Sequence, residues 1–246
     1  MTRSIDDVQR DLRELLRDPR PYDIEPQGPL ADRPARHSSV LILFGALDRT
    51  IAQPSGRLAD PEATSASAAP RAPDLPVPAE LDVLLTRRAD GMRHHPGQIA
   101  FPGGGAEPAD DSPDRTALRE AQEETGLDPD GVEVLGRLPE VLIPVSNNLV
   151  TPVVGWWRSP SEVAADHSES VDVFRTPVAE LLDPASRGSS VLRRGGYTHR
   201  GPAFALHERF GGRVLWGFTG ILLATMFDRL GWSVPWDAGR EFEVLP

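Results

Sequence analysis

Cysteine is absent from the 246-residue chain, which excludes disulfide bonds, thiolate metal ligands and cysteine nucleophiles. The absence fits a reducing compartment, and we expect a cytoplasmic protein. Lysine is absent as well, so all 26 basic side chains are arginine. The planar guanidinium of arginine suits two-point contacts with phosphate groups.

Long apolar segments are also lacking. The charged start, "MTRSIDDVQRDLRELLRD", carries no apolar stretch of the kind found in secretory signals, and its apolar residues recur at helical spacing. The most apolar run, from Val214 to Phe227, is shorter than the roughly 18 to 20 residues that cross a bilayer. We therefore predict an amphipathic N-terminal helix, a buried helix with a short strand before it near residue 214, and no membrane partner.

Positive charge is scarce relative to negative charge. The net charge is −11 and the pI is near 5.0, so the overall field repels nucleic acid and anionic membranes. We expect no nucleic-acid partner. A substrate that carries phosphate groups would need local arginines or a bound cation.

The chain is predicted to contain two parts. Residues 1–37 form the N-terminal helix and a Pro-rich and Arg-rich linker, and residues 38–246 form the main domain, with enough apolar content for a core. Residues 49–79 are rich in Ala, Pro and Ser, which predicts a mobile insertion. Short β-prone segments surround one Glu-rich helix, so the fold class is predicted to be α+β, with helices layered on a mixed sheet.

The Glu-rich helix has recognisable ends in the sequence. Ser112 is a suitable N-cap, Pro113 fits the first helical position and Gly126 fits the left-handed position after the last turn. We predict a helix over residues 113–125. The glycine run "FPGGGAEPADD" precedes it and permits close approach of the backbone to a ligand or metal.

Three glutamates, Glu120, Glu123 and Glu124, are predicted to share one face of this helix. Leu118, Ala121 and Thr125 lie on the opposite side. Two unit charges about 6 Å apart repel by about 3 kcal/mol at an effective dielectric constant of 20. Arg119 can reach one or two of these carboxylates. A divalent cation such as Mg²⁺ would remove the remaining repulsion, and the alternative is an acidic face solvated by water.

This region resembles the Nudix box, the signature of the Nudix hydrolases. The matching residues are Gly105, Arg119, Glu120, Ala121, Glu123, Glu124, Gly126 and Leu127. The upstream acidic position departs from the pattern. Strict spacing places Asp111 there, whereas counting from Gly104 places Asp110 there with one extra residue.

A second stretch, "LLTRRADGMRHHPGQIAFPGG" from Leu84 to Gly104, is similar to the segment before the box in coenzyme A diphosphatases of the Nudix type. The two resemblances imply an αβα Nudix sandwich. They also imply metal-dependent hydrolysis of coenzyme A, or of its acyl derivatives, to 4'-phosphopantetheine, or its acyl form, and adenosine 3',5'-bisphosphate.

The resemblance also implies roles for residues. Glu120, Glu123 and Glu124 would hold Mg²⁺ or Mn²⁺, with a carbonyl near Gly104 as a further ligand, and Arg119 would orient these carboxylates. The general base is left open between Glu123 and a loop acid, Glu162 or Glu169. The candidates for binding substrate are Arg87, Arg93, Gly103, Gly104 and Gly105.

Some alternatives stay open. Arg87 and Arg88 are predicted to point to opposite faces of a strand, so only one of them would reach the site. His94 and His95 are interpreted as loop residues, and Trp216 and Phe218 as core residues rather than a thioester pocket. The substrate could instead be ADP-ribose, NADH or a dinucleotide, or the protein could be a nucleotide sensor without turnover. The oligomeric state is undetermined, with a homodimer among the alternatives.

Overall fold

The computed structural model describes residues 2–18, 20, 34–46, 75–89, 91, 97–144, 146–167, 170–194 and 197–245. Arg93, His94, His95, Glu169 and most of the predicted linker and insertion lie outside the described residues. The α-helices are α1 (Ile5–Leu15), α2 (Pro113–Thr125), α3 (Val178–Leu182) and α4 (Gly217–Arg229). The strands are β1 (Arg36–Ala46), β2 (Leu81–Arg88), β3 (Ile99–Ala100), β4 (Gly103–Gly105), β5 (Val132–Arg137), β6 (Val141–Ile143), β7 (Asn148–Trp157), β8 (Ser170–Pro177), β9 (Arg187–Arg194), β10 (Tyr197–Ala205), β11 (Val214–Leu215) and β12 (Glu241–Glu243).

Two mixed sheets organise these strands. Strand β1 is central in the larger sheet, where it pairs in parallel with β7 and antiparallel with β2 and β4. Strand β2 also pairs with β3 and β8, and β7 also pairs with β5 and β6. The smaller sheet has the order β11-β10-β9-β12. Because β4 adds to the start of β1, the glycine run lies directly beside the central strand.

Both faces of the larger sheet are covered by helices. On β1, Leu41 and Leu43 pack in the hydrophobic cluster that contains Ala117 and Ala121 of α2. Ile42 and Phe44 pack instead in the cluster with residues of α1, α4 and the second sheet. This alternation is the period-2 pattern of a strand buried on both sides. The α+β fold with its N-terminal helix is as predicted, and within the described residues no helix has the length and apolar content to span a bilayer.

The N-terminal helix is part of the main core. Ser4 and Asp7 form a capping box, in which the Asp7 N–H donates to Ser4 Oγ (3.2 Å) and the Ser4 N–H donates to Asp7 Oδ2 (3.0 Å). Val8 and Leu12 are fully buried in the cluster that also contains Phe44 of β1. Helix α1 and the larger sheet therefore share one core.

The end of the predicted mobile insertion is ordered and packed, which corrects the prediction for residues 75–79. Val77 is buried and Leu75 packs against the same core cluster, while the Pro76 carbonyl accepts a hydrogen bond from the Arg3 N–H (3.2 Å). The composition of the whole segment hid these two apolar residues. Of the predicted insertion, residues 49–74 lie outside the described residues.

Replacing Leu12 by alanine should destabilise the protein by about 2 to 5 kcal/mol, because it leaves a cavity between α1 and the sheet. Urea unfolding followed by circular dichroism measures the change. Leu245→Ala is the matched control, since Leu245 is 82% exposed. Equal stabilities for the two variants would show that α1 does not contribute to the core in solution.

The buried carboxyl of Asp82 should make stability depend on pH. Arg175 Nη2 lies 2.5 Å from Asp82 Oδ2, yet burial outweighs this partner and raises the pKa of Asp82 from 3.8 to about 6. The folded state therefore binds the proton more tightly than the unfolded state. The resulting stabilisation is complete below pH 3.8 and is lost as the pH rises through 6.

Asp82→Asn isolates this contribution. Relative to the variant, the wild type should lose about 3 kcal/mol of unfolding free energy between pH 4 and pH 7, at about 1.4 kcal/mol per pKa unit. Parallel urea titrations of both proteins across this range provide the measurement. A difference that stays constant with pH would contradict the raised pKa.

Candidate metal and active site

Helix α2 has the ends that its sequence predicts. The Ser112 side chain accepts a hydrogen bond from the Arg115 N–H (3.3 Å), and Pro113 occupies the first helical position. Gly126 ends the helix with φ 69°, a left-handed conformation that glycine adopts without steric cost. The predicted bounds, 113–125, are confirmed.

The three glutamates of α2 differ in their burial. Glu124 is only 4% exposed, while the side chains of Glu120 and Glu123 are 14% and 58% exposed. The predicted anionic face is therefore graded, since Glu124 lies at its border with the packed face and Glu123 faces solvent. Each carboxylate thus occupies a different electrostatic environment.

The glycines of β4 bring backbone into contact with these carboxylates. The Gly103 N–H donates to Glu124 Oε2 (3.3 Å). A Cβ atom at Gly104 would lie 2.3 Å from Glu120 Oε2, and one at Gly103 would lie 2.3 Å from the Ser39 carbonyl oxygen. Both distances are too short for a real Cβ. At Gly103 the obstacle is the backbone of β1, so glycine is required there, whereas at Gly104 a Cβ would displace the Glu120 carboxylate from its present position.

Arg119 is the hub of the site. Its Nη1 donates to Glu120 Oε1 (2.9 Å) and Glu123 Oε2 (3.1 Å). Its Nη2 donates to the Gly105 carbonyl (2.8 Å) and to Asp110 Oδ2 (3.0 Å), and its Nε donates to Asp110 Oδ1 (3.2 Å). These contacts, led by the Asp110 carboxylate, raise the pKa of Arg119 above its ordinary range, so the guanidinium stays charged.

Asp110, rather than Asp111, is the upstream acid that faces Arg119. Two-point binding by Arg119 holds the pKa of Asp110 well below its usual range, helped by hydrogen bonds from the Glu107 N–H and Thr116 Oγ1 (both 3.0 Å). Asp111 is exposed and accepts a hydrogen bond from Ser112 Oγ (3.0 Å). Spacing alone could not separate the two aspartates, because they are adjacent in sequence and differ only in the partners that their side chains meet in the fold.

The donor set suits a hard divalent cation. Asp110, Glu120 and Glu123 bind the single positive charge of Arg119, and Glu124 of the same helix binds the Gly103 N–H, so these four carboxylates exceed that charge by three. All the donors are oxygen atoms, the type that Mg²⁺ prefers. Within the described ranges no three His, Asp or Glu side chains already form a metal cluster, and Arg119 holds Glu120 and Glu123 through its own hydrogen bonds.

The residues predicted to bind substrate have different surroundings in the structure. Arg87 forms an ion pair with Asp172 of β8 (2.5 Å), on the next strand of the sheet. Gly105 has open space where a Cβ would lie, and its carbonyl binds Arg119. Phe218 packs against the core, as predicted. Arg93 and the histidines at 94 and 95 lie outside the described residues.

The loop that precedes β8 is fixed to the end of α2. The Ala164 N–H donates to the Thr125 carbonyl (2.9 Å), and the Asp166 N–H donates to the Glu124 carbonyl (3.3 Å). Glu162, one candidate for the general base, is an exposed residue of this loop. Periodicity does not reveal this contact, because the loop is distant in sequence from α2.

Several known proteins resemble this chain. The family model described as the NUDIX domain matches residues 67–191. An uncharacterized Nudix hydrolase NudL from Enterobacter sp. (strain 638) is 37% identical over 149 residues, which are 61% of this chain and 75% of that protein. NudL from Pectobacterium atrosepticum is 38% identical over 141 residues, which are 57% of this chain and 71% of that protein. A NUDIX hydrolase structure from Nitrosomonas europaea is 12% identical, with a TM-score of 0.45, and the match covers 88% of this chain and 82% of that one.

Asp110→Asn should weaken divalent-cation binding about 10- to 100-fold, because Arg119 would then draw Glu120 and Glu123 more strongly to itself. The Mg²⁺ concentration that gives half-maximal turnover measures this effect. Asp111→Asn is the matched control and should change that concentration less than twofold. A larger rise in the Mg²⁺ requirement for Asp111→Asn than for Asp110→Asn would indicate that Asp111 is the upstream acid.

Proposed function

This chain belongs to the Nudix family, and we propose that its substrate is coenzyme A or an acyl derivative of coenzyme A. It is a hydrolase that acts on pyrophosphate bonds. The proposed products are 4'-phosphopantetheine, or its acyl form, and adenosine 3',5'-bisphosphate. The observation that carries the hydrolytic site is the excess of carboxylates around Arg119, against the glycine backbone of β4.

The choice of coenzyme A depends on a separate observation. The segment from Leu84 to Gly104 resembles the stretch that precedes the box in coenzyme A diphosphatases, whereas the box itself is common to Nudix enzymes with other substrates. In this fold the segment runs from β2 through β3 into β4, so it ends at the carboxylates of α2. A substrate-recognition segment would have to reach the reacting bond, and the direct continuation of this segment into Gly103 and Gly104 supports that role.

The metal ligands are proposed from the donor set. Glu120, Glu123 and Glu124 would hold Mg²⁺ or Mn²⁺, with a carbonyl of the Gly104 region as a further ligand. A cation held by these residues would neutralise diphosphate oxygens and would lower the pKa of a bound water. Glycine at 104 lets the backbone lie close to the Glu120 carboxylate as it is placed, since a Cβ there would lie 2.3 Å from Glu120 Oε2.

The proposed roles of the protein's own side chains follow from their contacts and from their exposure to solvent. Arg119 keeps Glu120 and Glu123 in fixed orientations, and Asp110 keeps Arg119 in place. Glu123 has the most exposed carboxylate of the three, so it is the best placed to accept a proton from water. Glu124 is buried against the Gly103 N–H, which suits a ligand that is held rigidly.

Hydrolysis of coenzyme A, acetyl-coenzyme A, NADH and ADP-ribose tests the proposal. Each substrate is incubated with Mg²⁺, Mn²⁺ or a chelator, and the products are resolved by chromatography. Metal-dependent release of adenosine 3',5'-bisphosphate from coenzyme A, with slower cleavage of NADH and ADP-ribose, is expected. Preferential cleavage of ADP-ribose or NADH would reject coenzyme A and retain the site, and tight nucleotide binding without turnover would favour a sensor.

The substitution Glu124→Gln tests whether Glu124 is part of the metal site. We expect it to lower turnover more than about 100-fold, because it removes one buried anionic ligand while keeping the shape of the side chain. Glu208→Gln, an exposed change in the 3₁₀ turn Glu208–Phe210, is the matched substitution and should retain turnover. Near-normal activity of Glu124→Gln would remove Glu124 from the metal site.

A further inference from the structure

The two neighbouring arginines at the end of β2 face opposite sides of the larger sheet. Leu84 packs in the cluster against α2, and Leu85 packs in the cluster on the other face. Alternation along the strand places Arg88 on the side of Leu84 and Arg87 on the side of Leu85. The pairing irregularity at this point inserts its extra residue in β8, between 170 and 172, so the alternation along β2 is preserved.

Arg87 already has an anionic partner within the protein. Its Nε lies 2.5 Å from Asp172 Oδ2, and Arg87 and Asp172 are also directly paired residues of β2 and β8. This ion pair joins two adjacent strands on the face away from α2. Arg87 therefore has a structural contact that a substrate would have to break.

Arg88 differs in having no such partner. Its backbone N–H donates to the Gln98 carbonyl (3.0 Å), but in the part of the chain that the structure describes its side chain forms no hydrogen bond or ion pair. The Nε atom is buried and unsatisfied. A buried donor without an acceptor costs about 1 to 3 kcal/mol, so its retention calls for a ligand or another explanation.

Strand pairing and two hydrogen bonds connect the position of Arg88 to the backbone at the end of α2. Arg88 pairs across the sheet with Ser170, whose N–H donates to Asp166 Oδ1 (2.9 Å). The Asp166 N–H in turn donates to the Glu124 carbonyl (3.3 Å). A short chain of contacts thus leads from Arg88 to the helical turn that carries Glu123 and Glu124.

We propose that Arg88, rather than Arg87, contacts a phosphate group of the substrate. The inference rests on the proposed function, because it names the residue that would bind the diphosphate or the 3'-phosphate beside the same site. A protein with net charge −11 needs local positive charge to accept a polyanion, and a guanidinium with open donors supplies it with two-point geometry. Arg119 itself is fully engaged by carboxylates and the Gly105 carbonyl.

Steady-state kinetics of Arg88→Ala and Arg88→Lys test the assignment, with coenzyme A and dephospho-coenzyme A as substrates. For Arg88→Ala we expect KM to rise about 10- to 100-fold with a change in kcat of less than about threefold, and Arg88→Lys should recover part of the loss. A loss confined to coenzyme A identifies the 3'-phosphate as the contact, and a loss on both substrates identifies the diphosphate. Arg193→Ala removes an exposed arginine of β9 that is paired with Glu243, and serves as the matched control.

Binding of inorganic diphosphate with Mg²⁺, measured by calorimetry, separates this inference from the proposed function. If the wild type does not hydrolyse coenzyme A but Arg88→Ala binds diphosphate more weakly than the wild type, coenzyme A is rejected as the substrate and the phosphate contact of Arg88 is retained. An unchanged KM on coenzyme A would reject the role of Arg88 alone. If Arg88→Ala lowers kcat and the thermal unfolding midpoint but leaves KM unchanged, the role of Arg88 is structural. If the wild type neither binds diphosphate nor turns over coenzyme A, the proposed phosphate contact of Arg88 is rejected as well.

Discussion

The site depends on an imbalance of charge around one arginine. Arg119 donates hydrogen bonds to three carboxylates and a carbonyl, which satisfies the donors of its guanidinium but neutralises only one negative charge. Carboxylates about 6 Å apart repel by about 3 kcal/mol at an effective dielectric constant of 20. Exposure of a carboxylate to water weakens this repulsion, because water raises the effective dielectric constant. The fold tolerates the arrangement because Asp110 is tied to Arg119 and Glu123 reaches solvent. Glu124 is buried, so its charge is the one for which a bound cation matters most.

Packing on both sides of the sheet fixes the positions of these carboxylates. Small residues at 117 and 121 let α2 lie close to Leu41 and Leu43, and this closeness brings its carboxylates to the glycine backbone of β4. On the far side, α1 and α4 bury the alternate residues of β1. A helix supported by a sheet of this kind can keep charged groups within a few tenths of an ångström of their partners, which a surface loop does less well.

The sequence predicted the parts of the structure that short-range rules determine. The bounds of α2 follow from Ser112, Pro113 and Gly126, which act within one turn. Burial of Glu124 and the choice of Asp110 over Asp111 depend on contacts with β4 and on the path of a loop, and residue spacing does not record either of them. The opposite orientation of Arg87 and Arg88 was predicted from strand geometry, but the partner that distinguishes them, Asp172, is 85 residues from Arg87 in sequence. The substrate contacts of Arg87 and Arg93 and the roles of the glutamates remain predictions.

The arginines near the larger sheet differ in whether a carboxylate of the protein binds them. Arg119 and Arg87 meet carboxylates of the protein, so their charge organises the fold. The Arg88 side chain has no such carboxylate among the described residues, and its buried Nε lacks an acceptor. An unsatisfied donor costs stability in the absence of ligand, and an anionic ligand would recover that cost on binding. Because the long-range field of this protein repels anions, a phosphate group would need local positive charge from an arginine or a bound cation. The proposed phosphate contact, Arg88, and the proposed metal ligand, Glu124, are linked through Ser170 and Asp166 near the end of α2.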